Sequence, residues 1–311
     1  MFKVLTKDFI KNPVLEMDVT APTDEIELYG KKYRMYVDDW KKHIHLKCTN
    51  MCDANCDFCI ERASRHELGN CHDFLTSMKE VVYQMQDQGH FRTLSVTGGE
   101  PTAFVNLQSI VNFANSVRPM LFSINSNGYN LESMERDTFD GWFNLSKHAI
   151  DDSHIFHRSK NVTPSVLDFF KILQPRAHIR IQCVLGMKEG LRNLNDVLRF
   201  IEYFKGHVDN YSFRSLILDN DYDKIPQLFT DLRDYLFDHM VEQAIQDYYV
   251  YEIYDLNGTS ITLSWSNMFL LKQYNETHRD ENFLEEIIVH PDGMVTGSWD
   301  KRTLIIKDLP R

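Results

Sequence analysis

His43-Ile44-His45-Leu46-Lys47-Cys48-Thr49-Asn50-Met51-Cys52-Asp53-Ala54-Asn55-Cys56-Asp57-Phe58-Cys59 decides how the rest of the chain is read. Its first five residues alternate in the manner of a strand. The remainder is a polar loop carrying four of the six cysteines; the others are Cys71 and Cys183. Only Cys52, Cys56 and Cys59 fall in the register C-x3-C-x2-C. Three thiolates on one short loop can hold three irons of a cubane and leave the fourth open for chemistry. A closed zinc site with Cys48 as fourth ligand is the alternative. Four-cysteine zinc sites normally use two separated knuckles, which this single loop does not supply.

Outward from the loop, strand-like and helix-like segments alternate to about residue 216. Phe74, Met78, Val81, Val82 and Met85 recur at helical spacing, and Ser77-Met78-Lys79-Glu80 reads as a capping box near that helix's start. Thr93–Val96, Leu121–Asn125, Trp142–Leu145, Ile179–Val184 and Tyr211–Arg214 read as further strands. Between them, helices are expected over Leu107–Val117, after Thr163-Pro164, and over Leu194–Phe204. Six such repeats imply a parallel sheet whose chemistry lies at the strands' C-terminal ends. The expected fold is therefore α/β, a partial six-stranded β/α barrel of the TIM type. A hairpin around Gly30-Lys31-Lys32 is expected in an N-terminal extension over 1–40. The core is expected over 41–218 and an α+β extension over 219–311. The extension should begin with one long helix aligning Leu228, Leu232, Tyr235, Leu236 and Met240. Strand-like runs from Tyr248 and Thr259 follow, and then a hairpin about Pro291-Asp292-Gly293.

Composition agrees with a folded enzyme of this size. Of 311 residues 43% are hydrophobic and 12% aromatic. Lys and Arg total 34 against 45 Asp and Glu, a net charge of −11, which argues against a nucleic-acid substrate. No signal-like h-region or membrane-length apolar run is visible, so a reducing cytoplasm and an oxygen-sensitive metal site are expected.

Two further turns bear on a ligand. Thr97-Gly98-Gly99-Glu100-Pro101 follows the second core strand; its glycines permit close backbone approach, and Glu100 offers a carboxylate to an ammonium. Asn125-Ser126-Asn127-Gly128 ends the third strand and by itself would be a polar turn.

Taken together, Cys52–Cys59 after a first strand and Gly98-Gly99-Glu100-Pro101 about forty residues on resemble the radical S-adenosylmethionine (SAM) superfamily. The branch resembled holds the molybdenum-cofactor cyclase and peptide-modifying enzymes, and the resemblance covers roughly residues 43–216. It implies a [4Fe–4S] cluster on Cys52, Cys56 and Cys59, with SAM as cosubstrate. Phe58 backbone would lie beside the adenine, Gly98, Gly99 and Glu100 at the methionine amino group, and Ser126 and Asn127 toward SAM. Ser146 and Arg158 would hold the methionine carboxylate. The branch's usual aspartate two residues after the serine is His148 here, which makes His148 a candidate substrate contact. His154 and His157 read as surface histidines. Val184 would pack on the adenine and Gly186 would match a strand-end glycine. Cys48 lies outside the pattern and reads as a buried thiol; Cys71 reads as incidental, with a hydrogen-donor role as the sharper alternative.

The implied chemistry is reductive SAM cleavage to a 5′-deoxyadenosyl radical that abstracts a substrate hydrogen. No residue is assigned to catalysis beyond the cofactor. A peptide or amino-acid side chain is the expected substrate, with a small nucleoside, sugar or other metabolite as runner-up. A reductant such as flavodoxin or ferredoxin is the expected partner. A non-enzymatic zinc or iron–sulfur scaffold is the reading from a different class. Ile288–Gly297 has the shape of the segment that opens an auxiliary-cluster domain in peptide-modifying relatives. With no cysteine after Cys183, a cysteine-bound auxiliary cluster there is excluded.

Overall fold

A computed structural model describes residues 23–36, 43–59, 69–131, 134, 138–158, 166–169, 177–216, 225–246, 249–266, 282–284, 286–299 and 304–308. In chain order these form β1 (Thr23–Leu28), β2 (Lys31–Tyr36), β3 (His43–Lys47), α1 (Cys71–Asp87), β4 (Thr93–Thr97), α2 (Leu107–Val117), β5 (Leu121–Ser126) and β6 (Gly141–Ser146). Then come β7 (Ala177–Leu185), α3 (Leu194–Phe204), β8 (Asn210–Ser215), α4 (Gln227–Leu236), β9 (Met240–Gln246), β10 (Tyr249–Leu256), β11 (Thr259–Ser266), β12 (Ile287–Val289), β13 (Val295–Thr296) and β14 (Ile305–Lys307). Of the helix expected after Thr163-Pro164, residues 166–169 are described and helical; the rest lies outside the described residues. The class is mixed α/β with parallel β/α repeats, as expected.

The chain divides into two compact units. One comprises residues 21–144, 168–177 and 280–311. Its sheet runs β14–β13–β12–β3–β4–β5–β6, and β12, β3, β4 and β5 pair parallel. Ile44, Leu46, Leu94, Val96, Phe122 and Ile124 alternate onto one buried face. Phe74, Met78, Val81, Val82 and Met85 of α1 are buried too, as their helical spacing predicts.

The start of α1 differs from expectation. Asn70 is its cap, its side chain accepting from the His72 and Asp73 amides at 3.1 and 3.3 Å. Asn satisfies orphan helix donors as well as Ser does, so the helix begins six residues before Ser77, at Cys71. Ser77 instead sits inside the helix, buried, and donates to the Gly293 carbonyl at 2.7 Å. Lys307 bonds both Ser77 (2.9 Å) and Glu80 (2.7 Å). The Pro291–Gly293 turn thus closes on α1 while β12 pairs with β3.

The other unit comprises residues 1–20, 145–167 and 178–279. Its strands run β7–β8–β11–β10–β9, with β7–β8 and β8–β11 parallel and the rest antiparallel. Ile181, Cys183, Tyr211, Phe213, Ile261 and Leu263 form a core with Val197, Phe200, Ile201 and Phe204 of α3 and Leu228, Phe229, Leu232 and Leu236 of α4. Burying each large apolar side chain contributes about 1.5–3 kcal/mol. Beside it, the fully buried Glu252 is satisfied by Arg233 (2.8 and 2.7 Å), Gln243 (2.6 Å) and Tyr254 (2.5 Å). The expected long helix stops at Leu236. Met240 continues its i+4 row on paper but opens β9, because Glu242 to Gln246 find ladder partners in β10 and pairing outweighs the periodicity. Among the described residues no helix is long and apolar enough to cross a membrane.

Candidate functional site

The cysteine loop leaves β3 at its C-terminal end. It is bonded along its backbone to the turn after β4. Cys48 N–H donates to Thr97 O (3.0 Å), Gly99 N–H to Thr49 O (2.7 Å) and Glu100 N–H to Met51 O (2.7 Å). This extends the β3–β4 ladder past both strands. A Cβ at Gly98, whose φ is +140°, would meet Thr49 O at 2.4 Å; one at Gly99 would meet Met51 O at 2.1 Å. No side chain fits at either position, so the two glycines let the loop lie against the turn.

Glu100 is buried, 1% exposed, with its carboxylate surrounded by donors. Oε1 accepts from Thr102 N–H (3.0 Å), Thr102 Oγ1 (2.7 Å) and Ser126 Oγ (2.6 Å), and Oε2 from Asn127 N–H (2.7 Å). Burial pushes its pKa up, and these four donors oppose the shift. Ser126 in turn accepts from Gly128 N–H at 3.0 Å. Asn127 accepts from Tyr129 N–H (3.1 Å) and directs Nδ2 at Asp53 Oδ1 (3.0 Å) and Cys52 Sγ (3.8 Å). Both side chains therefore help build the loop–turn frame, a role the sequence did not signal.

This unit's donor set fits an iron–sulfur cubane. Cys52 and Cys59 are half-buried and Cys56 is buried, and none is in a disulfide. Among the described residues no three His, Cys, Asp or Glu side chains are arranged to hold one ion. A cubane needs no such convergence, since each cysteine meets its own iron. Cys48 is buried with its Sγ donating to Thr97 O (3.4 Å); desolvation first, then the Glu100 charge, drive its pKa far up. It behaves as the buried thiol ending the first core strand. Cys71 opens α1 and its sulfur lies 2.6 Å from Asn106 Nδ2. Phe58 is half-buried.

The second unit carries Ser146, Arg158, Val184 and Gly186. Ser146 ends β6, half-buried. Beyond it, Lys147 and Asp152 form a buried ion pair at 2.5 Å, and Asp152 also accepts from His148 N–H at 3.2 Å. Burial pushes Lys147 down and Asp152 up, each opposed by the other's charge. His148 is buried; its Nδ1 accepts from Val184 N–H at 3.2 Å. Desolvation, then Lys147, lowers its pKa to about 3, so it stays neutral and pins the β6 loop to β7. That makes it a positioning residue for Val184. His154 and His157 are exposed, as expected. The Arg158 guanidinium lies 4.7 Å over the Phe156 ring. Gly186 has φ +99°, and a Cβ there would meet Pro226 Cγ at 2.5 Å.

The 4Fe-4S single cluster domain family matches residues 46–163. An uncharacterized protein of Methanocaldococcus jannaschii is 26% identical over 188 residues, which is 58% of this chain and 63% of that protein. A structure of SuiB from Streptococcus suis bound to S-adenosylmethionine aligns with TM-score 0.57 at 14% identity, covering 84% of this chain and 61% of SuiB. Native anSMEcpe with bound AdoMet and the Cp18Cys peptide aligns with TM-score 0.50 at 14% identity, covering 86% and 77%. The chain thus spans less than two thirds of the length of the first two. At these identities the solved structures establish the shared fold.

Proposed function

We propose that this chain is a radical SAM enzyme that modifies a peptide or amino-acid side chain. When bound, the cluster and SAM would supply the hard step: one electron from an external reductant, passed through the cluster, would cleave SAM to methionine and a 5′-deoxyadenosyl radical able to take a hydrogen from the substrate. The chain's own residues bind and orient. Cys52, Cys56 and Cys59 would hold three irons. Gly98 and Gly99 keep the turn within backbone hydrogen-bond distance of the loop, and Glu100 fixes that turn through Thr102, Ser126 and Asn127. The face of Glu100 Oε2 not taken by Asn127 is the acceptor for the methionine ammonium. Ser146 and Arg158 take its carboxylate by charge-assisted bonds, and Val184 packs on the adenine.

The observation that carries this reading is the cysteine loop bonded, residue by residue, to Gly99 and Glu100. Peptide chemistry is supported by the peptide bound to anSMEcpe. A small metabolite is the second reading, favoured by the lack of cysteines after Cys183. The test is anaerobic reconstitution with iron and sulfide, then incubation with SAM and dithionite. About four irons per chain and 5′-deoxyadenosine by mass spectrometry are expected. One zinc per chain and no 5′-deoxyadenosine would reject the proposal.

A further inference from the structure

The sheet of the second unit has two unlike faces. Ile181, Cys183, Tyr211, Phe213, Ile261 and Leu263 pack under the helices. The opposite face of β7, β8 and β11 is polar in every row but one position. The register sets Arg180 beside Asn210 and Ser260, Gln182 beside Ser212 and Thr262, and Val184 beside Arg214 and Ser264. A β/α sheet with no ligand to bind fills such a face with Val, Ile and Leu. Here the nine positions hold two arginines and no carboxylate, in a chain whose net charge is −11.

The arginines are arranged with care. Asn210 Nδ2 donates to Ser260 Oγ (2.9 Å) and lies 3.2 Å from Thr262 Oγ1. That orientation turns Asn210 Oδ1 toward Arg180, whose Nε donates to it at 3.0 Å. The fork of Arg180 is thereby aimed. Arg214 stands two rows further toward the C-terminal end, exposed, in the row of Val184. Burial first, and the Arg214 charge second, lower the Arg180 pKa. The like charges therefore oppose one another, a cost that an anion between them removes. The acidic group beside Arg180 is Asp209, just before β8, whose Oδ2 accepts from Ile179 N–H (2.6 Å) and whose Oδ1 lies 3.7 Å from His178; the Tyr251 phenol on β10 offsets part of the Arg214 charge.

We infer that this face of β7, β8 and β11 binds an anionic group of the substrate, with Arg214 and the Asn210-oriented Arg180 as its cations. This rests on the radical SAM reading, because the row of Arg214 is that of Val184. Guanidinium forks match carboxylates and phosphates alike, so the group is an acidic side chain or chain end of a peptide, or a phosphate ester.

The test is the rate at which phenylglyoxal modifies Arg214 in the reconstituted holoenzyme, read by peptide mass spectrometry. Glutarate, inorganic phosphate and the neutral glutaramide serve as probes. Glutarate or phosphate should slow modification at least fivefold and glutaramide should not; which anion protects better separates carboxylate from phosphate. In Arg180→Gln, half-protection should need about ten times more anion, while Arg180→Lys, which keeps charge and bulk, should fall between. Iron content and SAM binding report whether each variant is folded. Equal rates with and without anions, equal protection by glutaramide, or undiminished protection in folded Arg180→Gln would overturn the inference. Absence of SAM cleavage in the wild type would instead reject the radical SAM reading and leave these rates to stand on their own.

Discussion

Glu100→Gln separates two roles for one residue. From sequence the substitution reads as neutral for folding, since it conserves volume and one acceptor oxygen. The geometry argues otherwise. A glutamine oxygen at Oε1 can keep Thr102 N–H, Thr102 Oγ1 and Ser126 Oγ, but its NH2 group then faces Asn127 N–H across the present 2.7 Å. Two donors oppose each other in a buried place, at about 1–3 kcal/mol. The three surviving bonds also lose their charge assistance, at up to ~1 kcal/mol each. Relief from burying a charge offsets part of this, leaving a destabilisation of about 2–4 kcal/mol. Loss of the ammonium contact, worth roughly 1.5–3 kcal/mol, should weaken SAM binding about ten- to a hundredfold. The assay is urea unfolding of anaerobically reconstituted protein, with iron content and SAM titration in parallel. A wild-type unfolding midpoint would refute the frame role assigned to Glu100. Wild-type SAM affinity at full iron content would refute the ammonium contact.

Asn127→Ala removes an N–H directed at Cys52 Sγ, worth about 1 kcal/mol, and should lower the cluster potential by roughly 40 mV in an EPR-monitored titration; an unchanged potential counts against that bond. Cys48→Ala should retain the brown cluster, whereas Cys52→Ala should lose it, as iron analysis will show. Gly99→Ala should fail to hold a stable cluster, because its Cβ would sit 2.1 Å from Met51 O; normal iron loading would contradict the close approach. His148 is neutral when folded, with a pKa of about 3 against 6.5 when exposed, so the unfolded chain gains a proton first as pH falls. Wild-type stability should therefore drop by about 1.4 kcal/mol per pH unit below 6.5 from this group alone. His148→Asn, which keeps an acceptor for Val184 N–H, should lack that component when urea midpoints at pH 7.5 and 5.5 are compared.

Local signals carried most of the fold. His43–Lys47 is a strand to the residue, and the apolar row of α1 buries as spaced; in α2 and α3 the expected helices form, with Phe113 and Phe200 adding to the buried rows while Val117, Leu194 and Leu198 are half-buried. β9 escaped notice because Met240–Gln246 has no alternation of its own and is a strand by virtue of β10. The cysteine register and Gly98-Gly99 were legible because both motifs are contiguous. Long-range chemistry was not. That Glu100 binds Ser126 and Asn127, that His148 holds Val184, and that Asn210 aims Arg180 depend on residues 26 to 36 positions apart. Only the register of neighbouring strands brings them together.

The pairing of β12 with β3 carries a consequence for when the metal can be loaded. β3 leads into the cysteine loop, and Asn70, the cap of α1, donates its N–H to Pro291 O at 2.8 Å. The strand that enters the loop and the cap of α1 are thus both held by residues translated late. On the ribosome, β3 and α1 emerge long before the strand that clasps them, and contacts of such sequence separation form slowly. During that interval Cys52, Cys56 and Cys59 sit on a loop anchored only to the turns after β4 and β5. A cluster on this loop would therefore be expected to settle only after synthesis of β12. Until then the nascent thiols are exposed to oxidation and to competing metals.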